Sequence, residues 1–342
     1  MTGRGLRWGV LGAARIAAQA VVPAILAAGD EVRVLGCRDL GRGRETAAQL
    51  GIPNAVEGYR RVLEEDLDAI YIPLPNSLHL RWVLAALASG KHVLCEKPLG
   101  LTAQEAVEMG AAAERCHLVL AEAVMYRYHP RWQLVMGLLR QGRLGSLRQI
   151  AGGFSFQLRP PPDVRWERDL GGGALYDVGS YLINASRWMA GREPQRAVAL
   201  AVPRHVVDES TTMLLEFPAL EGKEPTAAAL GCSFAAAESQ WLRVEGDQAV
   251  MFIPKPFTAW HGEPLPIFLD GPLGPERLAS AAADPYLEMV LEFGRAVESG
   301  EPAGTTASDA AGTLGVVEAC QRSWVTGSWQ KVAPVSLNFP GA

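Results

Sequence analysis

The stretch Trp8–Ala17, WGVLGAARIA, decides how the chain is read. A short apolar run enters a turn of small residues, and an alanine-rich segment follows. Gly12 stands where a dinucleotide-binding turn places its first glycine, with Ala14 and Ala17 at the second and third small positions. Small residues let the backbone approach a pyrophosphate, whose charge meets free N–H groups and the positive end of a helix. Gly12, Ala13, Ala14, Arg15 and Ile16 are therefore the candidate phosphate-facing residues. The full G-x-G-x-x-G is absent, so the turn alone equally fits tight packing of a helix on a sheet.

Outward from this turn, apolar runs alternate with helix-like segments. LRWGVLG, EVRVLGC (31–37), DAIYIPL (68–74), HVLC (92–95) and LVLAE (118–122) predict strands. Segments 15–28, 43–51, 77–89 and 102–116 predict helices, the last opening with the capping-box pattern TAQE, in which Glu105 can reach back to Thr102. Asn54–Tyr59 is ambiguous, although a strand fits. Continuous apolar strands alternating with helices imply a parallel sheet covered on both faces. After residue 123 the pattern changes to strands in succession with short connections: 149–158, 197–202, 211–217, 227–234, 240–246 and 249–253. Helices are predicted at 130–141, 174–189, 286–299 and 308–326. The expected fold is α/β, with a doubly wound N-terminal domain over 1–122 and an α+β domain over 123–342 built on a mostly antiparallel sheet. RPPPD (159–163) reads as a stiff local connection and not a domain linker.

The 342 residues suit two domains, and 49% hydrophobic with 20% charged residues is ordinary for a globular protein. A net charge of −5 provides no basic field, so neither nucleic acid nor an anionic membrane is the expected partner. Five cysteines without CxxC spacing point to a reducing compartment. With no signal-peptide core and no long apolar span, the expected location is cytoplasmic. The histidines show no metal-binding spacing, so no metal is expected.

The second predicted strand ends in Cys37-Arg38-Asp39. NAD-selective sites place an acidic residue at the end of this strand. Here Cys37 takes that position with Arg38 beside it, and a guanidinium can pair with a 2′-phosphate. This favours NADP, while Asp39 leaves NAD open. Pro73, Leu74, Asn76 and His79 follow the fourth strand, and Glu96 and Lys97 the fifth, so they should converge on one crevice at the carboxyl ends. Pro98 biases Lys97 toward an extended backbone; a cis Lys97–Pro98 bond has a low base rate. Far along the chain, GGGALYDVGSYLIN (171–184) puts Asp177 and Tyr181 at i and i+4 of a helix, on one face.

WGVLGAARIA, YIPLPNSLH, GKHVLCEKPL, AEAVMYRYHP and GGGALYDVGSY, in this order, strongly resemble the Gfo/Idh/MocA oxidoreductase family over nearly the whole chain. The branch they most resemble holds glucose–fructose oxidoreductase, D-xylose dehydrogenase and dimeric dihydrodiol dehydrogenase. The resemblance implies a Rossmann domain, a C-terminal sheet that receives substrate on one side and usually a partner subunit on the other, and nicotinamide chemistry on sugars or related cyclic diols. It further implies that Lys97 is catalytic, that Glu96 lies near the nicotinamide ribose, and that Asp177 and Tyr181 face substrate. A homodimer or homotetramer follows by the same resemblance. Tyr181 stands where many relatives carry histidine. Arg127, His129, Arg165 and Trp166 are candidate substrate contacts, Trp166 by stacking on a sugar face, and each also fits a role in the fold.

Oxidising an alcohol needs a base for the hydroxyl proton, and a free tyrosine, with a pKa of ~10, is poor at that task. A nearby cation favours the phenolate. The expected division is Tyr181 as acid/base, Lys97 as its activating cation, and Asp177 as the group that orients substrate or keeps Lys97 charged. The reverse, with Lys97 as proton donor, stays open. A glycosidase that retains its nicotinamide, or a non-catalytic cofactor sensor, are the alternatives on the same fold. Retention of Lys97, Asp177 and Tyr181 together speaks against the sensor.

Overall fold

The computed structural model describes residues 5–159, 163–204, 206–258 and 264–334, so prolines 160–162 of RPPPD lie outside the described residues. The chain divides into two compact units, one of Met1–Tyr128 with Pro285–Ala310, the other of His129–Asp284 with Ala311–Ala342.

In the first unit, β1 (Arg7–Leu11), β2 (Glu31–Cys37), β3 (Asn54–Glu57), β4 (Ala69–Ile72), β5 (His92–Cys95) and β6 (Leu120–Glu122) form a parallel sheet in the order β3-β2-β1-β4-β5-β6. Val10, Ile70, Tyr71, Ile72, Val93 and Leu94 are fully buried, as a sheet covered on both faces requires. The order reverses between β1 and β4, and ligands of such sheets bind at that switch point, outside the carboxyl ends. The ambiguous segment after residue 53 is β3, at the sheet edge. The first helix is not uniform: a π turn at Ala17–Val21 precedes the α-helix Val22–Ala27. Pro23 brings no N–H to that ladder, and the turn before it is widened. Thr102 caps Ala103–Cys116, accepting from Glu105 N at 3.1 Å, but Glu105 reaches back to Leu101 N at 2.7 Å. The helix Pro285–Ser299 joins this unit, with the Phe293 ring 5.0 Å from that of Trp8. Its local pattern carries no sign of which sheet it covers.

The second unit holds β7 (Leu147–Ser155), β8 (Arg196–Arg204), β9 (Val207–Phe217), β10 (Thr226–Ser233), β11 (Ser239–Gly246), β12 (Val250–Pro254), β13 (Pro266–Gly271), β14 (Gly274–Ala279) and β15 (Gln330–Lys331). They pair in the order β14-β13-β12-β11-β7-β10-β9-β8-β15, antiparallel throughout except for β7 beside β10. The β13–β14 hairpin escapes the sequence reading because prolines 266 and 275 interrupt it; both strands lie at the far end of the sheet, where proline is tolerated. One face buries Met213, Leu215, Ala228, Leu230, Leu242, Val244 and Met251, and the helix Ala307–Thr326 packs there through Cys320 on Met213. The other face leaves Leu200 72% exposed, with Val202, Leu214, Phe252 and Phe268. Among the described residues no helix is long and apolar enough to cross a membrane.

Candidate active site

The glycine turn leaves β1 at the switch point. Gly12 has a φ of 112° and donates its N–H to Gly36 O at 2.7 Å. Only glycine adopts that conformation at low cost, and a Cβ would also stand 3.0 Å from Leu74 Cδ2. Ala13 and Ala14 follow, and the helix begins at Arg15 and Ile16, with Arg15 exposed. At the end of β2, Cys37 is buried against Gly43, where any side chain would collide with its Sγ. Burial, with Asp39 and Glu57 nearby, pushes its thiol up. Arg38 is exposed. Asp39 is the N-cap of helix Leu40–Leu50, accepting from Arg42 N at 3.1 Å. Arg42 Nη2 lies 3.4 Å from Ala13 O, which brings a second guanidinium to the turn. A close-approach glycine, a helix start and exposed arginines fit a phosphorylated dinucleotide.

The loops after β4 and β5 are tied to one another. Pro73 and Leu74 are buried and Asn76 is half-buried. His79 is fully buried, with Nδ1 2.9 Å from Pro98 O and Nε2 2.8 Å from Leu74 O. Burial lowers its pKa, against the carbonyl contacts that favour the charged ring. It therefore joins the two loops and is no exposed proton donor. Glu96 accepts from Tyr71 OH at 2.7 Å, and burial followed by the Glu96 charge pushes that phenol well up. Lys97 is half-buried, and the Lys97–Pro98 bond is cis. Beyond Pro98, Leu99 N donates to the buried carboxylate of Glu122 at 2.8 Å.

The second unit holds the other cluster. Gly171 and Gly173 have φ of 80° and 116°, and Gly173 N donates to Arg165 O at 2.9 Å. A Cβ on Gly172 would stand 2.4 Å from that same carbonyl. The glycine run thus lies flat on the turn that bears Arg165, and Arg165 Nε donates to Asp177 Oδ2 at 2.7 Å. Asp177 and then Asp163 hold the Arg165 guanidinium charged. Asp177 lies in a π turn, Leu175–Gly179, ahead of the α-helix Ser180–Ala190. Tyr181 is half-buried, its ring 5.7 Å from that of Phe154 and 5.3 Å from that of Phe257.

Not every expected contact is presented to a ligand. Arg127 is 8% exposed and pairs with the buried Asp309 of the returning segment. Trp166 is 3% exposed, its Nε1 donating to Arg159 O and its ring edge-on to Phe234, so the expected sugar stacking gives way to packing. His129 caps the helix Pro130–Arg140 by accepting from Arg131 N at 3.0 Å. Arg165 meets the Asp177 carboxylate. The structure adds Tyr71, Arg42 and Glu122 beside the glycine turn and the two loops, none of them among the expected site residues. A carboxylate at the carboxyl end of an apolar strand, LVLAE, was the available signal for Glu122.

A profile described as the GFO_IDH_MocA oxidoreductase family, NAD-binding Rossmann fold, matches residues 6–124, and one for the GFO/IDH/MocA C-terminal domain matches residues 132–251. The chain is 35% identical over 338 residues to an uncharacterised oxidoreductase of Rhizobium meliloti, covering 96% of this chain and 99% of the relative. It is 34% identical over 330 residues to a D-xylose 1-dehydrogenase (NADP(+)) of Haloferax volcanii, covering 94% and 98%. A 3-ketoreductase from Actinomadura kijaniata, solved in complex with NADP and TDP-benzene, matches with a TM-score of 0.85 at 30% identity, over 93% of this chain and 98% of that one. Solved variants of that ketoreductase replace a lysine and a tyrosine 84 positions apart. Lys97 and Tyr181 have the same separation. With both halves matched and relatives aligned end to end, the chain belongs to the Gfo/Idh/MocA oxidoreductase family.

Proposed function

We propose that the chain is an NADP-dependent enzyme that moves hydride between the nicotinamide and a sugar or related cyclic diol, with Lys97 and Tyr181 handling the proton. One observation carries the reading. A lysine at the carboxyl end of β5 is followed 84 positions later by a tyrosine on a glycine-led helix, the separation at which lysine and tyrosine are replaced in the ketoreductase.

When bound, the nicotinamide supplies hydride acceptance and donation. In the oxidative direction the substrate hydroxyl loses its proton to Tyr181, and in the reductive direction Tyr181 returns it. The Lys97 ammonium favours the phenolate and stabilises the charge that develops on the substrate oxygen. Asp177, engaged by Arg165, orients substrate as part of that pair. The first unit provides the cofactor site and the second the substrate site and subunit contacts. The exposed apolar face with Leu200, Val202, Leu214, Phe252 and Phe268 supports association as a homodimer or homotetramer. Arg38, with Arg42 beside the turn, supports NADP over NAD, as do the cofactors in the relatives' names.

The test is a panel of aldoses, inositols, aromatic dihydrodiols and a nucleotide-linked ketosugar, each with NADP and with NAD, followed by nicotinamide absorbance. Turnover with NADP on a polyhydroxylated ring supports the reading. Activity with NAD alone overturns the role of Arg38, and cleavage of a glycoside without net nicotinamide change overturns the reaction class.

A further inference from the structure

The helix that carries Asp177 and Tyr181 opens on glycine, and glycine brings no side chain with which to cap it. Helix starts leave N–H groups without partners, and the residue just ahead commonly satisfies them. Here the cap arrives from 33 positions away: Asp208, near the start of β9, accepts from Leu175 N at 2.8 Å. The same oxygen accepts from the Thr211 hydroxyl at 2.8 Å. Asp208 is 7% exposed, and a Cβ on Gly173 would stand 2.2 Å from its Oδ1. The third glycine of the run is therefore a space left for this carboxylate.

We infer that Asp208 is a positioning residue for the substrate helix: by capping it from β9 it sets the direction of the π turn bearing Asp177 and of Tyr181 one turn on. The inference rests on the proposed reading of Asp177 and Tyr181 as substrate-facing. A π turn bonds i to i+5, outside the regular α ladder, and the N–H of its first residue, Leu175, is the one that Asp208 holds. Burial pushes the Asp208 carboxyl up to about 6, while the bonds from Thr211 and Leu175 favour its charged form. The Asp208 charge in turn acts on the thiols of Cys232 on β10 and Cys320 on the helix Ala307–Thr326. Burial raises both, and they stay neutral across this range.

A folded pKa above the unfolded value means that the charge at Asp208 opposes folding as pH rises through the window up to about 6. A merely structural cap and a positioning carboxylate then differ in Asp208→Asn, measured beside Tyr181→Phe. At pH 8 the expected D208N protein keeps or raises its Tm and binds NADP within about twofold of the parent. It loses kcat by about tenfold or more, as a displaced reacting group does, and loses the acid limb of kcat/KM near pH 6. Thr211→Val, which keeps the carboxylate and removes one donor to it, should move that limb to higher pH. A D208N enzyme with full kcat and an intact limb overturns the inference, and so does activity lost only in proportion to Tm, or an unmoved limb in T211V. Full turnover in Y181F overturns the reading of the helix itself, and this inference with it.

Discussion

The Arg165 guanidinium holds the Asp177 carboxylate at 2.7 Å, and the Arg165 carbonyl accepts from Gly173 in the run that leads to Asp177. Side chain and backbone of one arginine thereby fix both ends of a short turn. Asp177 enters the site as half of an ion pair. Replacing Arg165 by Met should raise KM about tenfold, the scale of one charge-assisted hydrogen bond, with a smaller effect on kcat. Steady-state kinetics on R165M and D177N, and on the double variant, show whether the two act as a unit.

Lys97→Met should abolish turnover while NADP binding, followed by fluorescence titration, stays measurable. Lys97 is half-buried just beyond β5, and its replacement by Met takes away the cation. Unchanged turnover would remove Lys97 from the mechanism.

Tyr181→Phe should lower kcat by about a hundredfold or more, the scale of a lost acid/base, with little change in cofactor affinity. Phenylalanine keeps the ring contacts with Phe154 and Phe257. A drop in cofactor binding alone would make Tyr181 structural.

Arg38→Ala should weaken NADP by about tenfold to a hundredfold through the lost charge-assisted bonds, and leave NAD nearly unaffected. Equal losses for both cofactors would mean that Arg38 does not meet a 2′-phosphate.

Arg127→Met should cost about 3–5 kcal/mol, because Asp309 would remain buried without its cation. Chemical denaturation measures the loss. R127M with parental stability but raised KM would return Arg127 to the substrate contacts.

Local sequence carried most of the framework. EVRVLGC and HVLC are apolar enough to declare buried strands, and their bounds coincide with β2 and β5. The order of motifs placed Lys97, His79 and Glu96 at carboxyl ends, because a parallel sheet sends every strand the same way. The glycine-led helix was legible because few other contexts need three glycines ahead of a helix. What the sequence could not disclose are pairings made across long separations. Trp166 has the chemistry to stack on a sugar, yet Phe234 occupies its ring. Arg127 has the chemistry of a substrate contact, yet Asp309, 182 positions away, neutralises it. Asp208 lies in no motif, and only the fold of β9 brings it to the helix start. Periodicity and turn chemistry are local and can be read along the chain. Which buried charge meets which partner depends on long-range closure, and tertiary structure alone decides that.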